Sequence, residues 1–456
     1  MNRSFVVLGG TGDLTGRLLL PGLAELVAAG VLAEPVTVLA VSQEDWSDEE
    51  YRDWARARLS EHAGHVPEAA RERLAGWLGY RHGDVTVPAD LRAALERAGG
   101  VPVVYLALPN TVFLPTLEAL AEAGVPDGAV IAVEKPFGRN LADARQLNEV
   151  LHRLVPEDRV FRTDHFLAMQ TVLNILGLRF ANRVFEPVWN AQHLERVDIV
   201  FDETLGLEGR AGYYDTAGAL RDMLQNHLLQ MLAVVAMEPP AALDARSLAA
   251  RKADVLRAVR PPRDMRRDTV RGRYTAGTVG DRELPDYTAE QGVQADRGTE
   301  TYAEYTVEVD NWRWAGVPFR LRSGKALGAD RHEIVLRFKP VPHLAFDPGT
   351  DGGGAESDVL RLRLDPDGIS LELNLNGAGD PFGLERRSLD VDLPPARLSA
   401  YGLLLEELLA GRAALSISDV EAEESWRIVE PILAAWAAGE VPLLEYPAGS
   451  DGPACG

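Results

Sequence analysis

Gly9-Gly10-Thr11-Gly12-Asp13-Leu14 joins an apolar run, Phe5 to Leu8, to a helical stretch from about Asp13 to Ala29. Glycines at such a junction let the backbone approach a pyrophosphate, and the helix start offers unpaired N–H groups and a positive dipole end. The spacing, Gly9-x-x-Gly12-x-x-Thr15, departs from G-x-G-x-x-G, so a tight turn with no ligand also fits. Glu134-Lys135-Pro136-Phe137-Gly138 follows a second apolar run ending at Val133. Ligands of open α/β sheets bind at the carboxyl ends of strands. Lys135 therefore either meets a cofactor or substrate hydroxyls there, or is a solvated surface lysine. Composition favours the first. Lys135, Lys252, Lys325 and Lys339 are the only lysines among 47 basic residues, the rest being arginine.

Two histidines stand beside groups that could tune them. Asp164-His165-Phe166 is one place, and Gln225-Asn226-His227 is the other. Leu220, Leu224, His227, Leu228 and Met231 share one face of an expected helix. A histidine on such a face is either a satisfied core residue or a general base. In the second case a carboxylate such as Asp164 would hold one ring nitrogen and leave the other to take a proton. Periodicity does not show that the two meet. No H-x-x-x-H, H-E-x-x-H or C-x-x-C spacing occurs, so no metal site is expected. The single cysteine, Cys455, excludes an intrachain disulfide and an all-cysteine metal site.

The elements that must position these residues divide near residue 164. Before it, apolar runs at 5–8, 36–41, 103–108 and 130–133 alternate with helical stretches, the pattern of a parallel sheet covered on both faces. Beyond it, helical stretches at 169–181 and 217–237 flank a strand at 197–201. Alternating runs at 300–309, 319–322 and 333–338 then predict an antiparallel sheet with one exposed face. The expectation is a Rossmann-like α/β dinucleotide-binding domain (1–164), then a larger, mainly antiparallel α+β domain (165–456). Asp347 to Gly354 reads as a surface loop and Gly449 to Gly456 as a loose tail. With 456 residues and a net charge of −22, the chain has ample core and a surface that repels nucleic acid and anionic membranes. No run reaches the roughly 18 apolar residues of a spanning helix, and the start leads straight into a strand instead of a signal peptide. A cytoplasmic protein is expected.

Taken together the motifs resemble the glucose-6-phosphate dehydrogenase family, nearly end to end. The glycine turn and Glu134 to Gly138 are joined by Asp164-His165-Phe166-Leu167, Leu178 to Asn182, Gly212-Tyr213-Tyr214-Asp215 and Gln225-Asn226-His227. Asp310 to Pro318, Gly324-Lys325 and Tyr446 to Ser450 complete the series. The resemblance implies hydride transfer from the anomeric carbon of a hexose to a nicotinamide, giving a lactone. It assigns catalysis to His227, as base, to Asp164, as its orienting partner, and to Lys135, which anchors the C1 end. It assigns cofactor binding to Gly9, Gly12, Asp13, Leu14, Ser42, Gln43, Glu44, Pro109 and Lys135. Glu203, Asp222 and Lys325 match sugar-binding positions, and the resemblance implies a homodimer.

The departures concern the phosphate. Where the family reads Asp-His-Tyr-Leu-Gly-Lys, this chain has Asp164-His165-Phe166-Leu167-Ala168-Met169. A second basic residue in the first helix is replaced by Leu18, after Arg17. Asp330 stands where the family has lysine or arginine, with Arg331 next to it, so only His165 remains of the phosphate clamp. Charge-assisted hydrogen bonds contribute roughly 1.5–3 kcal/mol each. The expectation is therefore a sugar without the 6-phosphate, in a pocket lined by His165, Phe166, Met169, Glu203, Asp222, Lys325, Asp330 and Arg331. An ordinary glucose-6-phosphate dehydrogenase with a rearranged phosphate site is the alternative, and a catalytically silent binding homologue is the alternative of another class. Gln43 replaces an arginine that grips the NADP phosphate, with Glu44 and Asp45 beyond it. NAD is expected, NADP being the alternative if the two acids only begin the next helix.

Overall fold

The four apolar runs become β1 (Arg3–Leu8), β2 (Thr37–Ser42), β4 (Val101–Leu106) and β5 (Val130–Glu134), joined in one parallel sheet by two strands not expected from the sequence, β3 (Leu78–His82) and β6 (Val160–Thr163). The computed structural model describes residues 3–209, 211–346, 355–377, 379 and 383–454; Cys455 and the expected loop Asp347 to Gly354 lie outside these residues. Spatial order is 3-2-1-4-5-6, and a short antiparallel strand, Ser416–Ile417, closes the edge beside β6. Strand order reverses between β1 and β4, which places the topological switch point at the glycine turn. The central strands β1, β4 and β5 are apolar, as strands covered on both faces are, while the edge strand β3 carries Arg81 and His82. One of these, Asp48–His62, starts at a capping box in which Ser47 and Glu50 bond each other's backbone N–H.

This sheet belongs to the first of two compact units. It gathers the chain through Met169 with two later segments, Pro240–Ala253 and Pro395–Glu423. The last segment supplies core: Leu398, Tyr401, Leu405 and Leu408 pack in one cluster with Phe5, Leu20, Leu23 and Tyr105. The second unit comprises Gln170–Pro239, Asp254–Pro394 and the chain from Glu424. Its ten-stranded sheet is mostly antiparallel. In the interior, Leu194–Asp202 runs parallel to Pro318–Gly324, with Asp202 opposite Gly324.

Two local expectations are corrected. Residues 220–228 are wound as a π-helix and not as an α-helix, continuing as the α-helix Leu229–Ala236. Residues 223–237 are buried throughout, so no single apolar face exists and the 3.6 periodicity identified an element without its winding. The tail from Gly449 is not loose. Gly449 N–H donates to Ala326 O at 2.8 Å, Gly328 N–H to Ser450 O at 2.9 Å, and Arg322 Nη2 to Asp451 O at 2.9 Å. No helix among the described residues is long and apolar enough to cross a membrane.

Candidate active site

In the first unit the glycine turn is fixed from several sides. The N–H groups of Gly9 and Gly10 donate to Val41 O at 2.9 and 3.0 Å, and Tyr51 Oη donates to Gly10 O at 3.1 Å. Gly9 has a φ of 88°, and a Cβ there would lie 2.2 Å from Ala107 O, so glycine is required. Thr15 Oγ1 donates to Gly9 O at 3.0 Å, fastening the turn to the helical segment that begins there. Thr11 Oγ1 lies 3.0 Å from Ser42 Oγ and donates to Glu44 Oε2 at 2.9 Å. Glu44 therefore faces the turn from the end of β2, and the next helix begins only at Asp48. Gln43 is exposed beside it, as are Asp13 and Pro109, the last capping the helix after β4. Gly9, Gly12 and the first turn of helix suit a pyrophosphate, and the acid at the end of β2 suits a ribose hydroxyl. The donor set fits a dinucleotide.

At the carboxyl end of β5, Lys135 is joined to Pro136 by a cis peptide. Behind it Glu134 Oε1 accepts from Tyr105 Oη and, at 3.3 Å, from Tyr401 Oη. Burial pushes the Glu134 carboxyl up, against the opposing hydrogen bonds from Tyr105 and Thr163 and the charge of Lys135. Asp164 follows β6 and is buried, its Oδ1 accepting from Phe166 N–H at 2.9 Å. His165 stacks on Tyr401, with ring centroids 5.5 Å apart, and meets Phe166 edge-on. Phe166 is buried and Met169 half-buried.

In the second unit, Glu203 and Lys325 lie just past the carboxyl ends of the parallel strands Leu194–Asp202 and Pro318–Gly324. Lys325 Nζ meets Glu203 Oε2 at 2.7 Å and sits 5.4 Å from the centre of the Tyr214 ring. The Tyr214 hydroxyl is held well above its usual pKa by burial, then by the negative fields of Asp222, Glu300 and Glu203. Glu203, Asp222 and Lys325 thus share one neighbourhood around a buried aromatic ring. Lys325 is held by its backbone: its N–H donates to Thr301 O at 2.9 Å, and its carbonyl accepts from Tyr446 Oη at 2.7 Å.

His227 is buried in the π-wound segment. That segment begins after Gly218, whose φ of 72° breaks the preceding helix. Leu220 N–H then donates to buried Glu300 Oε1 at 3.1 Å. Two residues expected to line the sugar pocket have partners within the same unit. Asp330 accepts from Thr204 N–H at 2.6 Å and from Thr204 Oγ1 at 3.2 Å, and Arg331 Nη2 pairs with Asp451 Oδ1 at 2.6 Å. Reading the residues one by one missed Tyr105, Tyr401, Tyr214, Tyr446 and Glu300. Tyr214 and Tyr446 stood inside quoted motifs; the others carried no local signal.

Comparison with known proteins matches the chain nearly end to end. Residues 6–174 match the family model described as glucose-6-phosphate dehydrogenase, NAD binding domain, and residues 176–455 match its C-terminal domain. The glucose-6-phosphate 1-dehydrogenase of Rhizobium meliloti (strain 1021) is 38% identical, over 98% of this chain and 94% of its own length. The Zymomonas mobilis enzyme of the same name is 36% identical, over 99% and 96%. Among solved structures, the Mycobacterium avium glucose-6-phosphate 1-dehydrogenase superposes with a TM-score of 0.87 at 36% identity, covering 99% of this chain and 95% of that one. A glucose-6-phosphate dehydrogenase solved in complex with its substrate glucose-6-phosphate gives 0.88 at 30% identity and the same coverage. With both halves matched and full-length relatives at this identity, the chain belongs to the glucose-6-phosphate dehydrogenase family, built from a nicotinamide-dinucleotide domain and a larger, mostly antiparallel one.

Proposed function

We propose that this chain oxidises the C1 hydroxyl of a hexose to a lactone, with glucose 6-phosphate as the first substrate to consider because its full-length relatives carry that name. The observation that carries the reading is the pair of buried Lys325 and half-buried Glu203 over Tyr214, with Asp222 beside it: fixed donors and acceptors suited to ring hydroxyls. A bound nicotinamide supplies the hydride acceptor. His227 takes the C1 hydroxyl proton, a general-base step that an imidazole nitrogen can perform. Asp164 orients the ring and balances its charge once protonated, and Lys135 anchors the C1 oxygen. Residues 1–164 serve the cofactor and 165–456 the sugar, in a cytoplasmic homodimer.

A specific observation favours a second reading, a sugar lacking the 6-phosphate. Phe166 and Met169 provide neither hydroxyl nor ammonium, Asp330 is an acid, and Arg331 is already ion-paired. A dianion placed there would lose water without full replacement. For the cofactor, Glu44 facing Thr11 supports NAD, since an acid there suits a free ribose hydroxyl and disfavours a phosphate. Steady-state assays of glucose 6-phosphate, glucose and 2-amino-2-deoxyglucose with both cofactors test all of this. A sub-millimolar KM for glucose 6-phosphate would establish the first reading over the second. Turnover of no hexose would leave the silent homologue. His227→Asn should lower kcat by about 10²–10⁴-fold; retention of more than about a tenth of the activity would remove histidine as the base.

A further inference from the structure

The sugar-binding candidates Glu203 and Lys325 sit on two loops that are laced together by backbone hydrogen bonds. Glu203 N–H donates to Gly324 O at 2.8 Å, Leu327 N–H to Glu203 O at 3.0 Å, and Ala326 N–H to Leu205 O at 2.9 Å. Ala326 adopts a φ of 54°, an uncommon conformation for a residue with a side chain, so the path next to Lys325 is held by its surroundings. From beneath, Ala326 and Leu327 pack into a cluster with Tyr214, Tyr274, Tyr302 and Tyr446. One side-chain link completes the lacing. Both carboxylate oxygens of Asp330 accept from the backbone and hydroxyl of Thr204, the residue that follows Glu203.

We infer that Asp330 is a positioning residue for sugar binding: it ties the loop after Lys325 to the loop carrying Glu203 and so fixes the Glu203–Lys325 pair. The inference rests on the reading of these two residues as sugar-binding. A carboxylate is the group this task needs, because an N–H and an O–H on the same residue call for two acceptors on one carbon. A lysine or arginine at 330 would turn two acceptors into donors facing donors. The next residue follows the same logic. Arg331 is spent on Asp451, in the terminal segment bonded to Ala326 and Gly328, so it braces the same loop from its other side. Asp330 and Arg331 thus build the pocket wall.

Asp330→Ala should raise KM for the best hexose by about fivefold or more, the loss of one or two hydrogen bonds, and leave KM for the cofactor unchanged. Asp330→Asn keeps an acceptor for Thr204 N–H and should recover most of that loss. Asp330→Lys should weaken glucose 6-phosphate further; a fall in its KM would show that the side chain reaches a phosphate and would overturn the inference. Hydrogen exchange of residues 202–206, followed by mass spectrometry on the intact enzyme, supplies a readout that needs no substrate. It should quicken in the alanine variant and return in the asparagine one. Unchanged exchange, or faster exchange with unchanged KM, overturns the clamp. If the native enzyme turns over no hexose, the proposed function fails while the exchange measurement still decides the clamp.

Discussion

Single side chains in this protein set preferences by what they accept or donate. On the proposed reading, in which Gln43 and Glu44 meet the cofactor's ribose end, Gln43→Arg should shift the ratio of kcat/KM toward NADP. Glu44→Gln should add to that shift by removing a like charge, and titration calorimetry with both oxidised cofactors checks it. Tighter NADP binding by the unaltered protein would remove the NAD preference. Asp202 gives a pH prediction. Burial pushes its carboxyl up to about 6, only partly offset by the charge and hydrogen bonds of Arg322, against about 3.9 in an unfolded chain. Between those values the folded protein holds a proton that the unfolded chain has released. Its stabilising contribution is therefore full below about pH 4 and lost as pH rises through 6. Burial raises the carboxyls of Glu134 and Glu300 in the same direction. Melting temperature should rise as pH falls from 7 to 5, and Asp202→Asn should flatten part of that slope.

Elements explain what the sequence could and could not reveal. Four parallel strands were legible because each holds an unbroken apolar run. By contrast β3 (Leu78-Gly79-Tyr80-Arg81-His82) and β6 (Val160-Phe161-Arg162-Thr163) are broken by polar residues and were not. The glycine turn was legible from its glycine spacing, and Gly9 has no room for a side chain. The π-winding around His227 was not legible. Every position from 223 to 237 is buried, so side-chain type carries no phase, and the helix start is set by Glu300, eighty residues further on. The tail was misread for a related reason: Gly449 and Ser450 look like coil until their partners at Ala326 and Gly328 are known. Glu203 and Lys325 were singled out together only through the family pattern, since nothing local says that their strands run parallel and adjacent. Gly218→Ala tests the helix start. Its positive φ costs a side chain roughly 1–2 kcal/mol, and a Cβ would lie 2.4 Å from Glu300 Oε1, displacing the cap. Chemical denaturation should show a loss on the order of 2 kcal/mol or more, with kcat falling as His227 loses its fixed place. Stability equal to the native protein would separate the cap from the helix.

At the scale of the whole molecule, the order of the chain and the order of the structure disagree. The dinucleotide-binding unit is not finished when its last parallel strand has been laid down, because Pro395–Glu423 returns to it with Leu398, Tyr401, Leu405, Leu408 and the edge strand Ser416–Ile417. A buried leucine-sized side chain contributes roughly 1.5–3 kcal/mol, so four of them rival the roughly 5–15 kcal/mol by which a domain is stable. A chain ended at residue 394 should therefore lose cooperative melting of its nucleotide-binding half and its cofactor affinity. Retention of both would show that the returning segment is dispensable. The same discontinuity bears on how the protein is made in a cell. A ribosome adding about 5–20 residues per second delivers the closing segment on the order of ten to fifty seconds after β6. Over that interval Phe5, Leu20 and Leu23 lack their final neighbours, so the nascent chain offers a chaperone a sticky, half-closed sheet until Pro395–Glu423 has emerged.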